Sequence, residues 1–229
     1  MREIIANREE GFTLIELLIA MALALVIISA LSTAFISQRK TYVVQENVSE
    51  MVQTARAAMD TIAREVKMAG LAPTGHDKKF EDGTATVQTS PLMQRKNPSG
   101  ARFVGIPYNS DSSVINIYAD IQGDGAISTS TGSTDHITYS KMTGEYVIKR
   151  NTNTGGSAQP FAENILSFSV AYLDEDGTST TTVADIRQIH ITITARTAHP
   201  DPDYTHPTNG DGYRTYTLTS RITPPNLAF

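Results

Sequence analysis

Cysteine is absent from all 229 residues, which excludes a disulfide staple and any thiol chemistry. A folded domain in this chain therefore relies on its apolar core. Gly-rich phosphate loops, a Gly-x-Ser-x-Gly elbow and a His-Glu-x-x-His pair are also missing, so no enzyme class has positive support. Lys and Arg number 19 against 24 Asp and Glu, a net charge of -5 with no basic cluster; that balance argues against nucleic acid as the principal partner. No internal repeat recurs at a fixed period. Neither Pro nor Gly occurs from Phe12 to Ala69, a stretch of 58 residues, so nothing there breaks a helix.

What is present begins with Gly11-Phe12-Thr13-Leu14-Ile15-Glu16-Leu17-Leu18-Ile19-Ala20. From Leu14 to Ile36 the only polar side chains are Glu16, Ser29, Ser32 and Thr33. These 23 residues reach about 35 Å at the helical rise, enough for a hydrocarbon core of roughly 30 Å. A secretory signal peptide places its cleavage site after the apolar core. Here the order is reversed: Met1 to Gly11 is a short polar leader, and a cut after Gly11 leaves the whole apolar helix in the mature chain. Glu16 is out of place in a plain anchor, because a carboxylate costs up to about 3 kcal/mol at mid-membrane and less near a helix end. Solvation by headgroups is one explanation, and pairing with an amine is the other.

This run resembles the class III signal of type IV prepilins and pseudopilins, over about twenty-five residues. The resemblance implies that a membrane peptidase cuts after Gly11 and N-methylates Phe12. It also implies that Glu16, the fifth mature residue, pairs during assembly with the terminal amine of a neighbouring subunit. Prepilin leaders usually carry net positive charge, whereas this one sets Arg2 and Arg8 against Glu3, Glu9 and Glu10. Arg39 and Lys40 beyond the span balance the leader, so charge leaves orientation open. The resemblance, not the charge, implies a cytoplasmic leader and an exported head.

After Thr41 the apolar positions Val44, Val48, Val52, Ala55, Met59, Ile62, Val66 and Ala69 step by four and three, an amphipathic stripe that predicts docking on a soluble head. Gly70 followed by Pro73 predicts a helix end near Ala69. Small residues at Ala20 and Ala24, and at Ala30 and Ala34, offer close-approach faces for other membrane helices. From Leu71 onward short alternating segments predict antiparallel strands. They are Leu166 to Tyr172, Ile189 to Ile193, Tyr216 to Ile222, Ala101 to Val104, Ser113 to Ala119, and a hairpin of Ile137 to Lys141 with Tyr146 to Arg150 around Thr143 and Gly144. Asp124 to Asp135, Asn151 to Gln159 and Ala198 to Gly212 read as loops. At about 160 residues the head is one domain with a real core.

Two clusters hold ligand-type side chains. His199-Pro200-Asp201-Pro202-Asp203-Tyr204-Thr205-His206 offers two imidazoles and two carboxylates, borderline ligands for zinc or manganese; its prolines favour an extended loop that scatters them. Asp120-Ile121-Gln122-Gly123-Asp124-Gly125 and Asp174-Glu175-Asp176-Gly177 open like calcium loops. In the first, however, Thr131 stands where the bidentate Glu belongs, and Asp-Gly pairs are ordinary turn chemistry. The expectation is no metal, no cofactor and no catalytic residue.

A more particular resemblance is carried by Arg39-Lys40-Thr41-Tyr42-Val43-Val44-Gln45-Glu46-Asn47, by Ala63-Arg64-Glu65-Val66-Lys67-Met68-Ala69-Gly70, and by Ile186 to Arg196 with Tyr213 to Asn226. These segments are similar to the PilW family of minor pilins and to related GspJ-type pseudopilins, although the cysteine that many relatives carry after Gly70 is absent. The resemblance implies an α+β pilin-like fold, a long membrane-spanning helical spine packed on an antiparallel β-sheet head. The corresponding segments are a leader at 1–11, a transmembrane half-helix at 12–37, an amphipathic half at 38–70 and the β-rich head at 71–229. It implies a minor pilin that joins other minor pilins in a priming or tip complex from which the major pilin polymerises. Its partners would be those pilins, the prepilin peptidase, the inner-membrane assembly platform and the lipid bilayer. Its place would be the inner membrane with the head in the periplasm, then the pilus or pseudopilus. Some pseudopilins hold calcium in the head. A GspJ-like pseudopilin of a type II secretion system, or a tip-displayed adhesin, are the alternatives.

Overall fold

A computed structural model of the chain describes residues 11–71, 80–81, 95–97, 100–102, 105–121, 127–128, 132, 134–152 and 155–227. The predicted strand end at 103–104 and most of the calcium-like run at 122–125 lie outside them. Among the described residues one α-helix, α1 (Leu14–Met68), is followed by eleven strands, and this is the α+β arrangement expected. The strands are β1 (Phe80–Glu81), β2 (Arg95–Asn97), β3 (Gly100–Arg102), β4 (Val114–Tyr118), β5 (Ile127–Ser128), β6 (His136–Ser140), β7 (Val147–Asn151), β8 (Gln159–Glu163), β9 (Ile165–Leu173), β10 (Gln188–Arg196) and β11 (Thr215–Ile222). The chain divides into two units, Met1–Glu46 and Asn47–Phe229.

In the first unit, the described residues form helix from Leu14 onward and expose nearly every side chain, including Leu17, Leu18, Val26, Ile27 and Phe35. The helix is long and apolar enough to cross a membrane.

The second unit holds two principal antiparallel sheets in the orders β4-β6-β7-β8 and β11-β10-β9. β2 pairs antiparallel with β3, whereas β1 and β5 pair in parallel, Phe80 opposite Ile127. That parallel pair departs from the all-antiparallel expectation, and β5 falls inside the stretch read as a loop at Asp124 to Asp135. β10 alternates cleanly, with Ile189, Ile191, Ile193 and Ala195 buried. On α1 the buried side chains are Met51, Ala55, Ala58, Met59, Ile62 and Val66, and Ala69 follows just beyond the helix. Val48 and Val52 are only partly buried against this core. The buried face is therefore turned slightly from the predicted stripe at its start, toward Met51.

The helix ends where a glycine allows a close approach. Gly70 takes φ 74°, and its N–H donates to Tyr118 O at 3.0 Å. A Cβ on Gly105 would lie 1.9 Å from Gly70 N, so a side chain there would force the two segments apart. Asn226 Nδ2 caps the Ala69 carbonyl at 3.1 Å.

Three polar side chains tie helix to sheet. Arg150 on β7 donates from Nη2 to Glu65 Oε1 at 2.8 Å and from Nε to Oε2 at 3.3 Å. Tyr139 on β6 donates its hydroxyl to Glu65 Oε2 at 2.5 Å. Burial, and then the bond to Glu65, push the Tyr139 phenol well above its usual range. With Glu65 nearly enclosed and Arg150 about a third exposed, removing the carboxylate leaves a partly desolvated cation. Glu65→Ala is expected to cost about 2 kcal/mol, below the cost for a fully buried pair. A lowered urea midpoint at unchanged slope would show it; an unchanged midpoint would mean the triad is solvated.

His136 on β6 stacks on Tyr118, with ring centroids 4.2 Å apart, and burial holds its pKa below the ordinary value. The unfolded chain then takes up a proton that the folded one resists. The penalty is absent above about pH 6.5 and grows as pH falls below it, at no more than about 1.4 kcal/mol per pH unit. Melting temperature should fall through that window, and His136→Asn should flatten part of the slope.

Candidate assembly site at the amino-terminal motif

Gly11, Phe12 and Thr13 precede the helix in non-helical backbone. The first helical bond runs from Leu17 N–H to Thr13 O at 3.2 Å, which makes Thr13 the N-cap. Glu16 Oε2 accepts from the Thr13 backbone N–H and from Thr13 Oγ1, each at 2.9 Å. Glu16 N–H reaches back to Thr13 Oγ1 at 3.4 Å. This is a capping box, in which the N-cap and N3 side chains satisfy each other's backbone donors. The Thr-x-x-Glu signature ahead of an apolar run was legible in the sequence, yet Glu16 was read for its charge alone and Thr13 went unassigned.

The capping box gives Glu16 a local role. Its carboxylate is held by Thr13 in the helix's first turn, near the positive end of the helix dipole, where an anion is favourable. A cut between Gly11 and Phe12 would place a new amine one residue before Thr13, on the same end of the helix.

The bond at Gly11–Phe12 lies outside the helix with both residues exposed, Phe12 by 89%. A Cβ on Gly11 would meet nothing within 4 Å. The described neighbours therefore leave room for a side chain at this position.

The other sequence candidates scatter. Arg214 Nη2 donates to Asp201 Oδ2 at 2.8 Å, and Asp201 is held inside the loop. His206 Nδ1 accepts from the backbone N–H groups of Thr208 and Asn209 at 3.2 and 3.1 Å, and its Nε2 lies 3.0 Å from Thr215 Oγ1. Both ring nitrogens thus fasten the 199–212 loop to itself and to β11. Among the described residues no three His, Asp or Glu side chains converge on a common point for a metal. Asp174 closes a turn, accepting from Thr178 N–H at 2.8 Å, with Gly177 at φ 80°.

The model of the prokaryotic N-terminal methylation motif matches residues 6–32, the leader and the first part of the apolar helix. No curated protein sequence matches the chain. Among solved structures, a type IV-like pilin from Thermus thermophilus is similar at a TM-score of 0.43 and 13% identity, over 79% of this chain and 98% of that one. The chain thus carries an N-terminal methylation motif at the start of a long apolar helix.

Proposed function

We propose that this chain is a minor pilin of the PilW type, whose work is assembly. The carrying observation is the methylation motif on residues 6–32, set at the start of an apolar helix whose large apolar side chains from Leu14 to Ile36 are exposed. In this reading the peptidase cuts after Gly11 and methylates Phe12. The segment 12–37 waits in the inner membrane with the head in the periplasm, and the chain then enters a priming or tip complex with other minor pilins. The amphipathic half at 38–70 supports the head at 71–229. During extraction Glu16 trades part of its bonding to Thr13 for the amine of a neighbouring subunit, a pairing worth most where water is excluded.

Crosslinking in the native host, followed by identification of the captured chains, tests this reading. The expected products are other chains with prepilin-type amino termini. Capture of type IV pilus subunits supports the minor-pilin reading, and capture of secretion-system subunits supports the GspJ-like one. A chain found only as a free monomer in the membrane contradicts both.

A further inference from the structure

Among the described residues three cations of the head pair with carboxylates, Arg150 with Glu65, Arg214 with Asp201 and Lys149 with Glu145. Arg196, at the end of β10, is different. Its guanidinium lies 3.5 Å from the ring centroid of Tyr146 and 4.2 Å from that of Tyr213. Arg196 donates its backbone N–H to Asn164 O at 2.8 Å, but among the described residues its guanidinium has no ion pair and its Nε is buried without a partner. Alternation along β10 sends Ile193 and Ala195 into the core, so Arg196 projects from the opposite face, beside Thr215 of β11.

Two aromatic faces fix a guanidinium's plane and leave its donor edge free, the arrangement best suited to a planar oxyanion bound by two parallel hydrogen bonds. On the inner side, the crevice bordered by Glu50 and Glu163 has a volume of about 10 Å³, no larger than a water molecule. Nothing bigger reaches Arg196 from there. On the outer side Tyr146 is 42% exposed, and a ligand can approach along the rings. Glu50 and Glu163 border the same crevice as Arg196 but form no ion pair with it.

We propose that Tyr146, Arg196 and Tyr213 form a binding site for a carboxylate, with Arg196 supplying the two donors and the rings holding it in place. A carboxylate suits the fork because its two oxygens match the guanidinium spacing, whereas a spherical anion engages only one nitrogen well. The carboxylate comes either from an acidic side chain or from an acidic sugar.

The test uses the full chain in detergent, labelled with ¹⁵N-arginine, with the Arg196 Nε–H resonance assigned by its loss in Arg196→Lys. N-acetylglutamate amide, glucuronate and chloride are titrated separately. A saturable shift with either carboxylate in the millimolar range supports the site, and the tighter of the two identifies the source. Tyr146→Leu, at an exposed position, should weaken the midpoint about two- to fivefold, as expected for losing one cation–π contact, with the other arginine resonances unmoved. No saturable shift with either carboxylate, or an equal response to chloride, overturns the proposal. So does an unchanged midpoint in Tyr146→Leu.

Discussion

Replacing Ile62 by Asp is expected to unfold the head. Ile62 is fully buried within the cluster that joins α1 to β9 and β10. The substitution removes a large apolar side chain and leaves an unpaired carboxylate in its place. Loss of the side chain alone costs about 2–5 kcal/mol, and burying a charge adds to it. Against a total stability of about 5–15 kcal/mol this is close to the whole margin. The comparison is made on a chain starting at Gln38, which retains all of the unit that begins at Asn47 and is expected to be soluble and monomeric or weakly associating. Circular dichroism and sedimentation read both expectations. If the wild-type head proves insoluble, or Ile62→Asp melts within a few degrees of it, the face around Ile62 meets partner chains instead of the sheets.

The second large effect concerns Glu16, where two roles can be pulled apart. As a cap, the side chain needs an acceptor that reaches the Thr13 N–H, which Gln supplies as well as Glu. As a partner for an amine, it needs negative charge, which Gln lacks. Glu16→Ala removes both and Glu16→Gln removes only the second. Both variants should still be cleaved after Gly11 and inserted in the membrane, because the Gly11–Phe12 bond lies outside the helix and the apolar segment is unchanged. Both should be incorporated into the complex at a small fraction of the wild-type level, measured by crosslinking alongside a check of leader removal. If Glu16→Gln assembles normally while Glu16→Ala fails, the carboxylate works as a cap alone and the pairing mechanism falls. If both assemble normally, Glu16 is merely tolerated.

The parts of the fold legible in the sequence were those set by local chemistry. The helix end followed from Gly70, β10 from strict alternation over Ile189 to Ile193, and the β6–β7 hairpin from Thr143 and Gly144, with Gly144 at φ 83°. β8 was missed because Pro160 lies in it. Proline demotes a strand from the middle of a sheet but is tolerated at an edge, and β8 is an edge strand. β9 was found with Phe168, Val170 and Tyr172 buried as alternation predicts, but a bulge opposite Thr194 and Ala195 pairs Ile165 with Ala195 and buries it in place of Leu166. Such an irregularity leaves no period-two signal. Contacts between distant segments were invisible for a different reason. Glu65 meets Tyr139 and Arg150 across separations of 74 and 85 residues, and Tyr146, Arg196 and Tyr213 come from three strand ends. Only the packing of the sheets brings them together.

The central claim is that the leader is removed after Gly11, so that the apolar helix remains as a mature, methylated amino terminus. Intact-mass and amino-terminal peptide analysis of the protein from its native host tests it most directly. The account predicts a chain that begins at Phe12 and carries one added methyl group. A chain that still begins at Met1, or one cut after Ala30 so that much of the apolar segment is lost, would contradict it.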